Sequence, residues 1–454
     1  MNAPPRIDEH HVERRAIDSK RTVIAFTIGI LAWSVDYKSA GAGSAAAFQA
    51  LLLGVYIVML LSIAVTAIRA ATGIGSVWVL LLAVLIFMVD GTILGTSFER
   101  DPYTILVNLL PPFVYASACA LTYVTLSIAS DRLPVILTVL RVACLTYAVG
   151  HLVMVAVTRG IDVRHSRYEV FSGAAMPSLA IIALALIRRV SRLDVVIMVF
   201  NLAIALLSVT RTLFVVLLAQ LAGVLVARPS SLFKGTAVRG LMLLVICGGG
   251  LAALDLAAGT GLIERWTDRL TVGERYGADP TALTRSAETH FMMESFTQST
   301  DTLLFGNGLA ARIYMTGPDA VRAAQMVGWQ SVKIYDEGYG HENYASILFI
   351  AGLLGGGGLL IVQILNGLQA IALIRRVQLT DASCQSTAAH LGVWGALIVI
   401  GILAYGLLGA VIGDRSTCVW YGIGTGILYW CREYLEAPAS SPVKVPRVQT
   451  LARL

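Results

Sequence analysis

NYASILFIAGLLGGGGLLIVQILNGLQAIAL, residues 343–373, contains no Asp, Glu, Lys or Arg. A membrane-spanning helix needs about 20 consecutive apolar residues, and a stretch of this length exceeds what a buried helix of a soluble domain requires. The stretch is therefore predicted to cross a lipid bilayer. Gly352 and the run Gly355–Gly358 are expected to let this helix bend and pack closely against its neighbours.

The whole chain has the composition of a membrane protein. Of its 454 residues, 57% are hydrophobic and 14% are charged, and the mean hydropathy is +0.75. Soluble globular domains are about 45–50% apolar and about 25% charged. Residues 1–21 are polar, which does not fit a cleavable signal peptide. The composition excludes a soluble globular protein and predicts an all-α, polytopic membrane protein.

Apolar runs divide the chain into about twelve predicted spans. The runs cover approximately residues 22–36, 45–68, 74–95, 103–127, 134–157, 171–187, 194–209, 212–227, 239–258, 343–373, 389–412 and 417–431. The predicted organisation is an N-terminal segment at 1–21, nine spans within 22–258, a helical loop domain at 259–342, three spans within 343–431 and a tail at 432–454.

The distribution of basic residues predicts the orientation. If both termini are cytoplasmic, nineteen Lys and Arg residues lie in cytoplasmic segments and seven lie in the short loops of the other side. Because positive charge accumulates on the cytoplasmic side, the loop domain is expected to be extracytoplasmic. The net charge of +6 thus reflects orientation and does not predict nucleic-acid binding. The six cysteines include no CxxC pair, so no metal site is predicted.

Three arginines on the predicted outer side are candidate anion ligands. Arg211 lies in the short turn between the seventh and eighth spans, and Arg164 and Arg167 lie in the loop 158–170. A guanidinium group binds two phosphate oxygens at once and keeps its charge. The alternative for each is an interfacial cation that contacts lipid headgroups.

The loop domain is predicted to contain two helices. The first spans Ala282–Leu304 and ends at the FGNG sequence, and the second spans Pro318–Tyr335 and begins at a Pro-Asp pair. Arg285 on the first helix is either an anion ligand or the ion-pair partner of Glu288, three residues further on.

The sequence GYGHENY, residues 338–344, precedes the tenth span. His341 in this sequence carries the side chain that exchanges a proton near neutral pH, and Glu342 or Asn343 is expected to orient it. The alternative is that Asn343 caps the following helix and His341 lies at the membrane interface. Tyr339 is either a stacking surface for a sugar or an ordinary interfacial aromatic residue.

Two charged residues lie deep within predicted spans, namely Asp90 and Arg141. Charged groups at membrane depth form ion pairs or line cavities, and the sequence leaves both alternatives open. The chain contains no nucleotide-binding, zinc-protease or nucleophile-elbow motif in a credible context.

The layout resembles the superfamily of O-antigen ligases and Wzy-type polysaccharide polymerases. The resemblance is carried by Thr210-Arg211, by Arg285 with LLFGNG (303–308), by HENYASILFIAGLLGGG (341–357) and by GAAMPSLAIIALAL (173–186). The chain departs from the pattern in three ways. Thr289 stands where the family often has an aromatic residue, and Glu342 separates the histidine from the asparagine. Ile350 and Ala351 occupy the stretch before Gly352 where the family often has an acidic residue.

The resemblance implies a metal-independent, inverting glycosyltransferase of the bacterial inner membrane, with no cofactor. Its donor would be an undecaprenyl-pyrophosphate-linked oligosaccharide, its acceptor a glycan or lipid, and its protein partners polysaccharide export or chain-length-control proteins. The implied catalytic residues are His341, Arg211 and Arg285, and the implied substrate-binding residues are Arg164, Arg167, Glu342, Asn343 and Tyr339. The departures favour a polymerase over a ligase. A transporter or flippase is the alternative of another class, although no repeated halves are evident.

Overall fold

A computed structural model describes most of the chain and provides the contacts discussed below. The described residues are 9–34, 43–70, 73, 75–159, 173, 175–186, 191–208, 210–227, 248–249, 261–328, 335–379 and 387–436. This part of the chain is almost entirely helical. Arg164 and Arg167 lie outside the described residues, and so does most of the predicted ninth span.

The helices that precede the loop segment begin near the N-terminus and run to residue 227. They are α1 (Glu9–Ser34), α2 (Gly43–Arg69), α3 (Val77–Ser97), α4 (Pro102–Ile128), α5 (Leu133–Arg159), α6 (Ala175–Ala185), α7 (Arg192–Leu207) and α8 (Thr212–Ala227). A 3₁₀ turn at Ser130–Arg132 joins α4 to α5.

The loop segment, residues 261–342, contains four helices and two short strands among its described residues. They are α9 (Leu262–Tyr276), α10 (Pro280–Thr297), α11 (Thr300–Phe305), β1 (Arg312–Tyr314), α12 (Gly317–Val327) and β2 (Tyr335–Glu337). The strands pair antiparallel with Ile313 opposite Asp336. The remaining helices are α13 (Asn343–Ala351), a π-helical turn (Gly352–Gly356), α14 (Gly357–Leu379), α15 (Thr387–Tyr405) and α16 (Arg415–Glu436).

Six helical segments in the described ranges are long and apolar enough to cross a membrane. They are Ala50–Arg69, Val77–Ser97, Pro102–Ile128, Ser130–Gly150, Asn343–Val377 and Thr387–Tyr405. They coincide with the second, third, fourth, fifth, tenth and eleventh predicted spans. Their outward side chains are large and apolar, for example Leu61, Leu82 and Ile364, as lipid contact requires. The prediction of an all-α membrane protein is confirmed at this level.

Glycines bring α4 and α16 into close contact. A Cβ atom added to Gly422 would lie 2.5 Å from the carbonyl oxygen of Tyr115, and one added to Gly426 would lie 2.6 Å from that of Cys119. The Tyr115 ring stacks on Tyr421 with 4.3 Å between centroids. Small residues allow such backbone proximity in membranes, where packing rather than the hydrophobic effect holds helices together.

Arg141 forms a buried ion pair, and its partner is Asp194. The Nε and Nη2 atoms of Arg141 donate to the two carboxylate oxygens at 2.6 and 2.5 Å. Asp194 also accepts hydrogen bonds from the backbone N–H and the hydroxyl of Ser191, which closes a capping box at the start of α7. Asp90 packs instead against Gly355, where an added Cβ would lie 2.6 Å from its Oδ2 atom.

The first predicted loop helix, Ala282–Leu304, is wrong in its extent because it is interrupted. α10 already begins at Pro280, capped by Asp279, and ends at Thr297. The chain then turns so that the Ser299 hydroxyl accepts the Thr302 N–H at 3.1 Å and starts α11. Side-chain capping offers the backbone an alternative to a continuous helix, and the apolar periodicity of the sequence does not register it.

The second predicted loop helix, Pro318–Tyr335, is also wrong at its C-terminal end. α12 ends at Val327, where Gly328 adopts a φ of +86°. A glycine with a positive φ commonly ends a helix, because it has no Cβ atom to clash with the backbone. Tyr335 lies in β2 and pairs with Tyr314.

The FGNG sequence of the loop segment docks onto the broken helix that follows it. The N–H groups of Asn307 and Gly308 donate to the carbonyl oxygens of Phe349 and Ile350 at 2.7 and 2.9 Å. These carbonyls lose their helical partners because the chain leaves the α-helix at Gly352, which has a φ of +57°. The docked loop therefore satisfies backbone groups that hydrocarbon cannot.

Replacing Gly352 with Ala is expected to destabilise the protein. An added Cβ would lie 2.3 Å from the Leu304 carbonyl oxygen, and the backbone conformation disfavours any L side chain. The backbone strain alone costs on the order of 1–3 kcal/mol. Thermal unfolding in detergent measures the effect. Gly358→Ala is the control, since an added Cβ there meets no atom within 4 Å. Equal unfolding temperatures for the two variants would contradict the role given to Gly352.

Candidate functional site

A histidine and a glutamate meet where the loop segment joins α13. The Nδ1 atom of His341 lies 2.7 and 3.0 Å from the two carboxylate oxygens of Glu288, and the backbone N–H of His341 donates to the same carboxylate at 3.1 Å. Glu288 lies on the buried face of α10 and is 1% exposed, whereas the His341 side chain is 51% exposed. The pair thus combines a fixed carboxylate with an accessible imidazole.

This geometry sets the tautomer of the imidazole. Because a carboxylate only accepts hydrogen bonds, Nδ1 carries the proton and Nε2 presents its lone pair. No described residue forms a hydrogen bond with Nε2. An imidazole oriented in this way by a carboxylate can take a proton from a hydroxyl group, as in the general-base step of many hydrolases.

Arg285 lies three residues before Glu288 on α10 and is the nearby cation. The interpretation of Arg285 as the ion-pair partner of Glu288 is wrong, since Glu288 binds His341 instead. The Nε atom of Arg285 is buried without a hydrogen-bond partner among the described residues. The guanidinium group therefore keeps a hydrogen-bonding position that no described residue occupies.

The turn that carries His341 is fixed from several sides. The Tyr339 hydroxyl donates to the Asn108 carbonyl at 2.9 Å, and the N–H of Gly338 donates to the Ala311 carbonyl at 3.1 Å. Gly340 donates its N–H to the Ser346 hydroxyl at 3.1 Å. Tyr339 therefore positions the turn through its hydroxyl group. A fixed turn holds His341 in one place with respect to Glu288.

The two residues after His341 have structural contacts. Glu342 caps α13 by accepting the N–H groups of Tyr344 and Ala345, a role that the sequence assigned to Asn343. Burial raises the pKa of Glu342 above its ordinary value, although these amides oppose the shift. Asn343 is buried, and its Oδ1 atom accepts the Ile412 N–H at 2.9 Å. Glu288, rather than Glu342 or Asn343, holds the imidazole.

Arg211 is bound within the protein. Its Nη2 atom pairs with the Asp279 carboxylate, and its Nη1 atom donates to the Arg269 carbonyl at 3.3 Å. Asp279 also caps α10 by accepting the Thr281 N–H at 3.0 Å. Arg211 thus ties the turn between α7 and α8 to the first turn of α10, the helix that carries Arg285.

The Arg211–Asp279 pair is expected to stabilise the loop segment in a pH-dependent way. Burial raises the pKa of Asp279, but the Arg211 hydrogen bond, the Thr281 amide and the charges of Arg211 and Arg269 outweigh burial and leave this pKa lowered. The contribution is present above the ordinary aspartate pKa and is lost as the pH falls through the lower, folded-state pKa.

A double-mutant cycle measures this coupling. Asp279→Asn and Arg211→Gln are each expected to cost about 0.5–1 kcal/mol, because the pair is partly exposed, and the double variant is expected to cost little more than either. Thermal unfolding at neutral pH gives the values, and a titration towards acid should erase the difference between wild type and Asp279→Asn. Fully additive losses would show that the two residues act separately.

The described residues contain no group of three His, Cys, Asp or Glu side chains placed to hold a metal ion. His290 is exposed on α10, and its Nε2 atom lies 3.9 Å from the Glu294 carboxylate. Of the predicted site residues, His341 and Arg285 both lie next to Glu288, and Arg211 is engaged by Asp279. Arg164 and Arg167 lie outside the described residues.

Two residues of the site were missed from the sequence, Glu288 and Asp279. Glu288 had a signal: it stands four residues before Met292 and eight before Phe296, on the apolar stripe of its helix. A carboxylate on a buried stripe needs a partner. Asp279 had the weaker signal of an aspartate directly before a proline, the ordinary start of a helix.

No protein-family model matches this chain, and no curated protein sequence compared with it matches either. The chemistry of the site residues and the motif resemblance are what support a function.

Proposed function

We propose that this chain is a membrane glycosyltransferase that polymerises undecaprenyl-pyrophosphate-linked oligosaccharide repeats. The observation that carries the proposal is the pair of His341 and buried Glu288, which leaves Nε2 without a hydrogen-bond partner among the described residues. Arg285, whose Nε atom also lacks such a partner, lies one turn before Glu288 on the same helix. The motif resemblance to O-antigen ligases and Wzy-type polymerases supplies the substrate class. A transporter would need neither a polarised imidazole nor an adjacent cation in one asymmetric loop segment.

The proposed reaction is an inverting transfer. His341 accepts the proton of the acceptor hydroxyl at Nε2 while that oxygen attacks the anomeric carbon of the donor sugar. The bond from this carbon to the phosphate oxygen breaks, and undecaprenyl pyrophosphate leaves with the bonding electrons. Arg285 stabilises the charge that develops on the diphosphate, an effect that is large next to a low-dielectric wall. The proton leaves His341 to water after product release.

The proposal includes a topology. Both termini are cytoplasmic, the chain crosses the bacterial inner membrane about twelve times, and the loop segment faces the periplasm, as the distribution of basic residues predicts. Periplasmic placement suits a donor delivered by its polyprenyl tail. Arg164 and Arg167 are proposed to assist with the diphosphate or the acceptor, and polysaccharide export or chain-length-control proteins are proposed partners.

An in vitro assay tests the enzyme assignment. Purified protein with lipid-linked repeats is expected to lengthen the glycan, and His341→Ala and Arg285→Ala are expected to lower the rate of lengthening by at least about 10²-fold. His290→Ala and Arg275→Ala are matched controls, because both side chains are exposed on the loop segment, and both should keep full activity. Lengthening at an unchanged rate by all four variants would refute the proposed site.

Deleting the gene distinguishes the polymerase from the ligase, which uses the same chemistry. Single repeat units attached to lipid A core are the expected result and indicate a lost polymerase. Long chains stranded on the lipid carrier would indicate a lost ligase and would overturn the choice based on the departures around His341. An unchanged surface glycan would argue against both.

A further inference from the structure

We infer that α9 is an in-plane membrane-binding helix, with one apolar stripe inserted into the lipid leaflet at the loop-segment end of the helical bundle. The partner is the lipid surface itself. This inference does not depend on the proposed enzymatic function, because it rests on the exposure and anchoring of α9 alone.

The stripe consists of Ile263 and Leu270. These residues are seven positions apart, so their side chains point within about 20° of each other around a helix. Their exposed fractions are 47% and 65%, although both are large and aliphatic. Thr267 lies between them on the same face. Glu264, Asp268 and Arg275 occupy a separate, charged face. The exposed Glu274 lies about 40° around the helix from Leu270, so the apolar stripe ends at Leu270, before the last turn. This division is the pattern of a helix that lies at a membrane surface.

The position of α9 is fixed against the ends of two apolar helices. The indole N–H of Trp266 donates to the Leu206 carbonyl at 2.9 Å, at the last turn of α7. The Trp266 ring packs edge-to-face on Phe214, with 5.4 Å between centroids, in the first turn of α8. Tryptophan is the side chain that favours the interfacial depth of a membrane. α9 therefore lies at the level where the bundle meets the lipid headgroups.

The exposed apolar surface of α8 begins at the contact between Trp266 and Phe214. Phe214 is partly exposed, and Leu218 is exposed one turn further into the bundle. α8 is apolar apart from the buried Thr212 and Gln220, so its exposed surface is suited to contact with lipid. Since Trp266 contacts Phe214, the lipid-facing surface of α8 reaches α9 without a polar interruption among these residues. Lipid is the occupant that this continuity supports.

The charges on α9 favour insertion over electrostatic binding. The helix carries Glu264, Asp268 and Glu274 against Arg265, Arg269 and Arg275. This balance gives no net attraction to an acidic or basic macromolecule, so uncharged or zwitterionic lipid suffices as a partner. Burial of Ile263 and Leu270 in acyl chains supplies the free energy of binding.

Site-directed fluorescence tests the inference. Leu270→Cys and Asp268→Cys, in the full chain reconstituted into phosphatidylcholine nanodiscs holding one copy each, receive an environment-sensitive thiol label. The unsubstituted chain, labelled in parallel, gives the background from the native cysteines. The label at 270 is expected to be quenched several-fold more by lipids with a spin label near the headgroup than the label at 268. Aqueous iodide is expected to show the reverse order.

Equal accessibility of both positions to iodide would overturn the inference. Protection at position 270 that appears only in nanodiscs with two copies would assign the stripe to a second copy of the chain and would also overturn it. If Leu270→Cys fails to fold, Thr267→Cys on the same face replaces it, and the same two outcomes decide. Glycan lengthening is not part of the readout, so loss of the proposed enzymatic function would leave this test intact.

Discussion

Replacing Glu288 with Gln is expected to lower the rate of glycan transfer by about 10²–10⁴-fold, the range typical of general-base catalysis. Gln can donate its amide N–H to Nδ1 of His341, which moves the ring proton to Nε2. An imidazole protonated at Nε2 cannot accept a proton from the acceptor hydroxyl. His341→Ala is expected to fall in the same range, because both changes remove the same acceptor atom.

The measurement is the initial rate of consumption of the lipid-linked donor by purified protein. Glu294→Gln is the matched control, since Glu294 lies on the same helix with an exposed carboxylate, and it should leave the rate unchanged. The double variant with Glu288→Gln and His341→Ala should be no slower than His341→Ala alone, because the two residues act as one unit. Normal turnover by Glu288→Gln would remove the basis of the proposed mechanism.

Replacing Asp194 with Ala is expected to destabilise the fold by about 3–5 kcal/mol. The change leaves the Arg141 guanidinium group buried without its carboxylate, and it removes the capping box of α7 formed with Ser191. Thermal unfolding in detergent should show a larger fall in unfolding temperature for this variant than for Gly352→Ala or Asp279→Asn.

The control for Asp194→Ala removes both charges. The double variant Arg141→Met with Asp194→Leu replaces the ion pair by apolar side chains, and it is expected to be much closer to wild type, since a buried pair contributes little beyond satisfying its own charges. A double variant as unstable as Asp194→Ala would assign the loss to the helix cap instead of the unpaired charge.

The membrane helices could be predicted because hydrocarbon imposes a simple rule: a helix must present a long apolar surface. The run 343–373 gives this signal, and so does Val77–Ser97. This rule does not itself locate interruptions, although Gly352 and the run Gly355–Gly358 indicated where this helix can bend. The break at Gly352 depends on a loop that arrives from residues 307–308, a long-range contact that local periodicity does not encode.

Residues of the candidate site could be predicted where a polar side chain interrupts or adjoins an apolar segment. Arg285 and His341 are polar groups near the ends of apolar segments, and they could be singled out for that reason. The pairing of His341 with Glu288 could not be predicted, because Glu288 lies 53 positions away and the contact depends on how α10 packs against α13. Arg211 was predicted to be an anion ligand or an interfacial cation, and its ion pair with Asp279, 68 positions away, is a tertiary contact that local sequence does not encode.

The docking of residues 307–308 onto Phe349 and Ile350 has a consequence for biogenesis. The two carbonyl groups belong to a segment that reaches the bilayer after the loop segment has been synthesised. Backbone groups without hydrogen-bond partners in hydrocarbon cost several kcal/mol each. We therefore expect α13 and the π-helical turn to reach their final positions only after the loop segment has folded. Assembly of this half of the protein is therefore expected to proceed in a fixed order, with folding of the loop segment before the helix reaches its final position.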